Sequence, residues 1–310
     1  MRINIEKARA TVALSLPALL TGRMSMGYYD HIQACNRYDL SGFRRFTVAG
    51  QAVGWVRHRL AETLRRWPEL VTVDEAAVCL NPDFADYASR SAAMAGLAQG
   101  LVAAGIIPRL RGEAYPVLPA WGAVPLLQLD RAAVNWFGIN AYGLHVNGYV
   151  RRVDGGIEMW IARRASDRQV APGKLDNLVA GGQPVGLTLE QNLIKESYEE
   201  AGIEPALARR AVPVGVVTYL METPAGLKPD TLFLYDLELA PDFRPCNTDG
   251  EVEEFHRLPM ADVAAIVRDS DNFKFNCNLV IIDFIIRHGH ITPDTPGYMR
   301  LCHGLRRPDM

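Results

Sequence analysis

The chain has 310 residues, of which 49% are apolar and 22% charged, and its formal net charge at pH 7 is −2. The length predicts about two domains with ordinary globular cores, and the near-neutral charge gives no electrostatic reason to expect nucleic-acid or membrane binding. The five cysteines are scattered, odd in number and without a Cys-x-x-Cys spacing, which argues against structural zinc or a disulfide framework and is typical of the reducing cytoplasm.

The first 23 residues are predicted to be a disordered extension. They contain an apolar run, residues 11–20, that superficially suggests a signal peptide. This run is broken by Pro17, lacks a clear small-residue cleavage site, and is too short to span a bilayer as a helix. Secretion is therefore the less favoured interpretation.

Residues 24–125 are predicted to form a small α+β domain. The apolar pattern predicts an extended segment over residues 46–56 and helices over residues 28–37, 60–67 and 90–104. Near the end of this region, Glu113 and Tyr115 are polar candidates for the wall of a substrate site. A surface turn is the favoured interpretation of these two residues.

A second domain is predicted over residues 126–310, and it opens with two strands. Residues 142–153 and 158–164 are joined by an Asp-Gly-Gly turn, which is a hairpin signal. The second strand ends in Arg163 and Arg164. Because successive side chains of a strand alternate, these two arginines are expected to point to opposite faces of the sheet.

A glycine turn that contains Gly181 leads into a predicted helix. Thr188 is placed as the N-cap residue with Gln191 at the third helical position, which is a capping-box pattern. Gly202 is suited to end the helix in a left-handed conformation. The apolar residues at helical spacing, which are expected to face the core, are Leu189, Leu193 and Ile194.

The last turns of this helix carry an acidic cluster. Glu196, Glu199 and Glu200 are three or four residues apart and project from roughly one face. Like charges at this spacing repel, and acid near a helix C-terminus opposes the macrodipole, so the cluster costs stability unless a cation lies within it. Oxygen ligands of this kind suit Mg²⁺ or Mn²⁺ together with a substrate phosphate. A solvated acidic helix end is the alternative.

The segment from Gly181 to Ile203 resembles the Nudix box, whose pattern is Gly, five residues, Glu, seven residues, Arg-Glu, an aliphatic, one residue, Glu-Glu, one residue, Gly, an aliphatic. The matching positions are Gly181, Glu196, Glu199, Glu200, Gly202 and Ile203. The departures are Leu187 for the first Glu, Lys195 for Arg, and Ser197 for the aliphatic. Glu190 is the expected replacement partner of Lys195.

The flanking segments extend the resemblance to the whole domain. Residues 214–220 and 231–239 are strand candidates, and a short helix is predicted from Met260 to about Arg268. Strands, box helix, strands and a closing helix follow the order of a Nudix α/β/α sandwich with a mixed sheet. The resemblance therefore implies an α/β (α+β) fold class, with the smaller α+β domain preceding the sandwich.

The resemblance extends further, to a narrower subgroup, over roughly residues 27–305. Stretches such as YGLHVNGYV, PGKLDNLVAGG and DGEVEEF are similar to Nudix proteins related to thiamine diphosphate metabolism. This resemblance implies a Mg²⁺- or Mn²⁺-dependent hydrolase that acts on a small-molecule diphosphate, namely thiamine diphosphate or its damaged analogues. The N-terminal domain is expected to lid the site, and a monomer and a homodimer both stay open.

The resemblance also implies roles for individual residues. The expected metal ligands are Glu196, Glu199, Glu200 and the backbone carbonyl of Gly181. Glu251 is the expected base, because its acidic loop lies where Nudix enzymes often place a mobile carboxylate, and Glu199 and Lys195 are further catalytic candidates. Arg163 or Arg164 is expected to bind a phosphate through a bidentate contact, with Lys174 as a weaker candidate.

Two alternatives to this function are kept. A dinucleoside polyphosphate or nucleoside diphosphate-sugar hydrolase shares the fold, and Tyr219 lies 16 residues past the box, where dinucleoside polyphosphate hydrolases often carry a tyrosine. A sensor that binds a diphosphate ligand without turnover is the other alternative, and the departures at Leu187 and Lys195 keep it open. Glu199→Gln separates an enzyme from a sensor.

Overall fold

The computed structural model describes residues 27–306. The extension predicted over residues 1–23 lies outside this range. Two lobes follow along the chain, each with its own sheet and hydrophobic core.

The elements of the first lobe are α1 (Tyr28–Ala34), β1 (Phe43–Val48), β2 (Gln51–Arg57), α2 (His58–Leu64), β3 (Val71–Val73), β4 (Ala77–Leu80), α3 (Tyr87–Ala103), β5 (Ala114–Val117), β6 (Leu127–Asp130) and α4 (Arg131–Val134). Four of the strands form a sheet with the order β2-β1-β4-β3. Strands β1 and β2 form a hairpin, β4 pairs with β1 in parallel, and β3 pairs with β4 in antiparallel fashion. Strands β5 and β6 form a separate antiparallel pair.

The core of the first lobe continues beyond residue 125. Leu127, Leu129, Phe137 and Ile139 are buried in the same apolar cluster as Phe46 of β1. The residues between the predicted boundary and the first strand of the second sheet therefore pack with the N-terminal core. The division into residues 24–125 and 126–310 stays a prediction.

The elements of the second lobe are β7 (Ala141–Arg151), β8 (Ile157–Arg164), β9 (Leu175–Asp176), β10 (Val179–Gly182), α5 (Leu189–Ala201), α6 (Pro205–Ala208), β11 (Val212–Thr223), β12 (Gly226–Glu238), β13 (Val252–Pro259), α7 (Met260–Asp269), α8 (Phe275–Arg287) and α9 (Tyr298–Gly304). Its strands form a seven-stranded sheet with the main order β11-β12-β7-β8-β13, in which β10 also pairs with β7 and β9 with β8. Strand β12 pairs with β7 in parallel, whereas β11 and β12 are antiparallel, so the sheet is mixed.

Helices cover both faces of this sheet. On one face, Leu193 and Ala201 of α5 are buried with Leu144 and Val146 of β7. On the other face, the apolar sides of α7 and α8 pack on the sheet, with Val263 and Phe284 fully buried. The arrangement is a helix–sheet–helix sandwich with a mixed sheet, which confirms the predicted fold class.

Helix α1 lies against the second lobe although it begins the first. His31 Nε2 lies 2.6 Å from the carbonyl oxygen of Val267, and the Tyr28 hydroxyl donates to the carbonyl of Ala264 at 3.1 Å. Ile32 is buried in the apolar cluster that contains α8. The N-terminal helix of the first lobe is thus anchored to the second lobe.

Candidate active site

Helix α5 begins and ends at the residues that the sequence predicts. The Thr188 hydroxyl accepts a hydrogen bond from the Gln191 N–H at 3.1 Å, and the Gln191 side chain accepts one from the Thr188 N–H at 2.9 Å. Gly202 adopts the left-handed conformation with φ 62°. These caps fix where the helix begins and ends, and so they fix which face its last turns present to the sheet.

Two of the three box carboxylates are directed at strand β10. Glu200 is buried and accepts a hydrogen bond from the Ala180 N–H at 2.7 Å. Burial raises the pKa of Glu200 well above its usual range, and the charge of Asp176 raises it further. Burial also raises the pKa of Glu196, although Lys195 offsets part of the effect. Carboxylates with raised pKa values that lie close together gain from a bound divalent cation.

Gly181 is required by the position of Glu196. A Cβ at residue 181 would lie 2.4 Å from Cγ and Cδ of Glu196 and 2.8 Å from its Oε2. Only a glycine leaves room for this side chain beside the strand. The close approach brings the backbone of β10 next to the carboxylate of Glu196, and the ligand role of the Gly181 carbonyl stays a prediction.

Lys195 lies between two of the carboxylates. Its Nζ is 3.1 Å from Glu196 Oε1 and 2.6 Å from Glu199 Oε2. Glu190, the expected partner, instead pairs with Arg209 at 3.3 Å, so that expectation was wrong. Five residues along a helix turn through roughly 140° beyond a full revolution, which places Glu190 on another face from Lys195.

The loop that carries Glu251 is fixed to the end of α5. The Cys246 N–H donates to the Ala201 carbonyl at 3.0 Å, and the Thr248 N–H donates to the Glu199 carbonyl at 2.9 Å. Glu251 itself forms an ion pair of 2.6 Å with Arg168. The acidic loop thus lies beside the box helix, in accordance with the choice of Glu251, whose role as base stays a prediction.

The two arginines at the end of β8 have different partners. Arg164 donates from Nη1 to the buried Asp176 at 2.7 Å, and 11% of its side chain is exposed. Arg163 lies 3.4 Å from the carboxylate of Glu254 and is 25% exposed. Arg163 is therefore the more accessible of the two for a substrate phosphate.

Lys174 lies outside this pair of arginines. Its Nζ donates to the backbone carbonyl of Asp271 and lies 3.1 Å from the carboxylate of the same residue. Its proposed contact with phosphate, like that of the arginines, stays a prediction.

A buried polar cluster lies behind the carboxylates. His145, Asp176 and Cys277 place one ligand atom each within 4.8 Å of one another, a spacing compatible with a metal ion. However, Asp176 already pairs with Arg164 at 2.7 Å and Lys274 at 3.3 Å, and a further cation would be repelled by both. We therefore assign the cluster a structural role and the divalent cation to the box. His145 is hydrogen-bonded to Asn177 at 2.8 Å, as expected for a satisfied strand histidine.

The N-terminal lobe supplies one wall of the site. The Val185 N–H donates to the Ala114 carbonyl at 2.9 Å, which joins β5 to the loop after β10. Tyr115 is buried against Gly182, and Glu113 next to it pairs with Arg131 at 2.8 Å. The charge of Glu113 also contributes to the raised pKa of Glu196. The favoured interpretation of a surface turn was therefore wrong for Tyr115.

Sequence reasoning missed three charged side chains around the site, namely Arg131, Arg168 and Asp176. Arg131 and Arg168 lie outside the box pattern and are brought to it by pairings between distant segments. Asp176 had a detectable signal, because it is the only charged residue in the stretch 175–180 (LDNLVA).

Residues 27–141 match the family described as Domain of unknown function (DUF4743). The chain is 44% identical over 296 residues to Nudix hydrolase 20, chloroplastic, of Arabidopsis thaliana, covering 91% of this chain and 78% of that protein. It is 43% identical over 287 residues to Nudix hydrolase 24, chloroplastic, of the same plant, with the same shares covered. The solved structure of DR0079 from Deinococcus radiodurans is similar with a TM-score of 0.42 and 20% identity, covering 55% of this chain and 96% of that chain.

The chain belongs to the Nudix hydrolase family, as the identity to the two plant proteins shows. The protein is accordingly an enzyme, a hydrolase of the class that generally uses a divalent metal, and its N-terminal lobe carries the family domain of unknown function. Over residues 27–306, no helix combines the length and apolar character needed to cross a membrane.

Proposed function

We propose that the protein is a metal-dependent pyrophosphohydrolase that cleaves the diphosphate linkage of thiamine diphosphate or of damaged thiamine diphosphate analogues. The thiamine part is supported by the subgroup resemblance over residues 142–150, 172–182 and 249–255. The diphosphate part is supported by the site itself. Its main support is the convergence of Glu196 and Glu200 on strand β10 beside Gly181.

The residues present fit a divalent cation. Glu196, Glu199 and Glu200 offer oxygen ligands, and Gly181 leaves its backbone within reach because it has no side chain. When bound, Mg²⁺ or Mn²⁺ neutralises the diphosphate and polarises the phosphorus centre. Lys195 now balances two of these carboxylates at 3.1 and 2.6 Å, and in the proposed enzyme it keeps them in place.

Proton transfer and phosphate binding are assigned to separate groups. Glu251 accepts a proton from the attacking water, and Arg168, 2.6 Å from it, sets the position of its carboxylate. Arg163 binds a phosphate oxygen, whereas Arg164 holds Asp176 and keeps the sheet intact behind the site. Lys174 adds positive charge at the outer edge of the site.

Metal identity, compartment and assembly belong to the proposal. Carboxylate and carbonyl oxygens favour Mg²⁺, with Mn²⁺ as an alternative. All five cysteines are unpaired in the structure, which suits a reducing compartment such as the cytoplasm, although the two plant relatives are named chloroplastic. A monomer and a homodimer are both compatible with the site, because its described residues come from one chain.

The test is product release with Mg²⁺, and then Mn²⁺, from a panel of diphosphates. The panel contains thiamine diphosphate and its oxidised analogues, ADP-ribose, diadenosine polyphosphates and NADH. Preference for a thiamine-type compound supports the whole proposal. Preference for a nucleotide keeps the diphosphate chemistry and discards the thiamine part, and no turnover with either metal favours the sensor.

Two variants of helix α5 sharpen this test. Glu199→Gln should reduce turnover by orders of magnitude, because it removes a proposed ligand and half of the contact with Lys195. Glu190→Gln is the matched control, since Glu190 is an exposed carboxylate on the same helix that pairs with Arg209. It should leave turnover unchanged. Equal loss in both variants would contradict the assignment of the metal site.

A further inference from the structure

Arg131 of the first lobe lies beside the site that the box carboxylates form. Its backbone N–H donates to the Glu113 carbonyl at 2.8 Å, and the central carbon of its guanidinium lies 5.5 Å from the centre of the Tyr115 ring. The Tyr115 hydroxyl is in contact with Gly182, and the preceding glycine makes room for Glu196. A chain of close contacts therefore connects Arg131 with the box.

The guanidinium of Arg131 has donors to spare. Its Nη1 donates to Glu113 Oε2 at 2.8 Å, and this is its one hydrogen bond among the residues that the structure describes. The side chain is 43% exposed. The N–H groups of Nε and Nη2 lie parallel on one edge of a guanidinium, and such an edge can bind two oxygens of a phosphate. Arg131 can therefore form a bidentate contact while it keeps its pairing with Glu113.

A second arginine close by makes this position favourable for an anion. Arg111 is held by the loop between β8 and β9, because its Nη2 donates to Gln169 Oε1 at 2.8 Å. Burial lowers the pKa of Arg111, and the charges of Arg131 and Arg109 lower it further, while Glu113 acts in the opposite direction. Like charges at this range repel, and an anion bound beside them reduces the repulsion.

The proposed base acts on Arg131 from the other lobe. Burial lowers the pKa of Arg131, but interactions with other groups, among them Glu113 and Glu251, more than offset this effect. Burial raises the pKa of Glu196, and the charge of Glu113 contributes to the same rise. The ion pair of Arg131 and Glu113 thus lies within electrostatic range of the proposed base and of a proposed metal ligand. A diphosphate held at the box by a divalent cation would lie in the same space.

We propose that Arg131 is a substrate-binding residue that the first lobe contributes to the box site, and that its Nε and Nη2 groups bind two oxygens of the diphosphate. This inference rests on the diphosphate part of the proposed function. Glu113 holds the guanidinium in place and, because it is negatively charged, weakens its attraction for phosphate. The first lobe is then part of the binding site in addition to covering it.

The test uses Arg131→Gln in the full chain and two measurements. The first is the KM of the panel compound that the wild type hydrolyses fastest. The second is the dissociation constant of imidodiphosphate with Mg²⁺ by titration calorimetry, since this pyrophosphate analogue has a bridging NH group and resists hydrolysis. Both constants should rise roughly 10- to 100-fold, because a charge-assisted bidentate contact is lost. Arg131→Lys should recover only part of the loss, because an ammonium group cannot form that contact.

Two further variants separate phosphate binding from a purely structural ion pair. Glu113→Gln keeps an acceptor for Arg131 Nη1 but removes the competing charge, and it should bind imidodiphosphate about two- to fivefold more tightly. Arg65→Gln is the matched control for the loss of a positive charge, since Arg65 forms an exposed ion pair of 2.8 Å with Glu62 in the same lobe. It should leave both constants unchanged.

The outcomes are distinguishable. Unchanged imidodiphosphate binding in Arg131→Gln overturns the inference, and so does an equal weakening in Arg131→Gln and Glu113→Gln, because the pair and not the guanidinium would then matter. A wild-type protein that does not bind imidodiphosphate overturns it as well. A wild type that hydrolyses no organic diphosphate overturns the proposed enzymatic function alone, since the binding measurements still decide the role of Arg131.

Discussion

Tyr115 of the first lobe and Gly182 of the second are in such close contact that a Cβ at residue 182 would lie 1.6 Å from the tyrosine hydroxyl oxygen. Residue 182 adjoins Gly181, whose own missing Cβ makes room for Glu196. Two consecutive glycines thus accommodate, on one short strand, a box carboxylate and a side chain from the other lobe. Lobe docking and site geometry are coupled at this point.

Gly182→Ala should destabilise the protein by roughly 1–3 kcal/mol, because the added methyl group must displace a buried tyrosine. Tyr115→Phe removes the atom nearest to that methyl group. The double variant should therefore be more stable than the sum of the single effects predicts, with a coupling of about 1 kcal/mol or more. Urea denaturation of the wild type, the two single variants and the double variant measures this coupling. Strict additivity would mean that the two residues do not meet in solution.

Gly181→Ala should reduce kcat/KM about 100-fold, because it displaces the carboxylate of Glu196 from its place beside the strand. Gly96→Ala is the matched control, since a Cβ there meets no atom within 4 Å and the residue lies inside helix α3. The control should retain full activity and gain up to about 1 kcal/mol of stability. Steady-state kinetics at saturating Mg²⁺ checks the pair, and retained activity in Gly181→Ala would count against the assigned ligand geometry.

The stability gained from Mg²⁺ should increase with pH. Burial holds the pKa of Glu200 well above 4.5, so the metal-free folded protein binds this proton more tightly than the unfolded chain does. The stabilisation that comes from binding this proton is therefore fully present below pH 4.5 and is lost as the pH rises through the pKa of Glu200 in the folded protein. Mg²⁺ binds the ionised form and should restore the loss. Melting temperatures with and without Mg²⁺ test this, and Glu200→Gln should abolish the pH dependence of the difference.

His145 should make the protein less stable in mild acid. Burial, together with the charge of Lys274, lowers the pKa of His145 from 6.5 to about 4. The unfolded chain therefore binds the proton first, and stability should fall by roughly 3 kcal/mol as the pH drops from 6.5 to 4. His145→Gln should flatten this part of the pH profile, whereas the exposed His58→Gln should leave it unchanged. Denaturant titrations at several pH values make the comparison, and a flat wild-type profile would contradict it.

The local features of the site could be predicted from the sequence. The capping box at Thr188, the terminal glycine at 202 and the spacing of the box carboxylates depend on residues within one or two helical turns of each other. For the same reason the helix face that carries the carboxylates followed from their spacing, whereas its orientation towards the glycine strand was implied only by the family resemblance. The mixed sheet followed from the resemblance carried by the flanking strands.

The wall contributed by the first lobe could not be predicted in this way. The contact of Tyr115 with Gly182 depends on how two lobes dock, and the alternation in β5 specifies only that one of its faces is buried. The pairing of Arg164 with Asp176 similarly depends on the two-residue strand β9 lying beside β8. Sequence spacing within one element carries no information on either event.

The contacts of helix α1 with the second lobe have a consequence for biosynthesis. Because His31 and Val267 are 236 positions apart, the ribosome must synthesise all of the intervening residues before this helix meets its partner. Translation proceeds from the N-terminus, so Ile32 and Cys35 lack their apolar neighbours in α8 until that helix has left the ribosomal exit tunnel. The core of the second lobe is therefore completed only after α8 has been synthesised, and until then the apolar side of α1 has no partner to pack against.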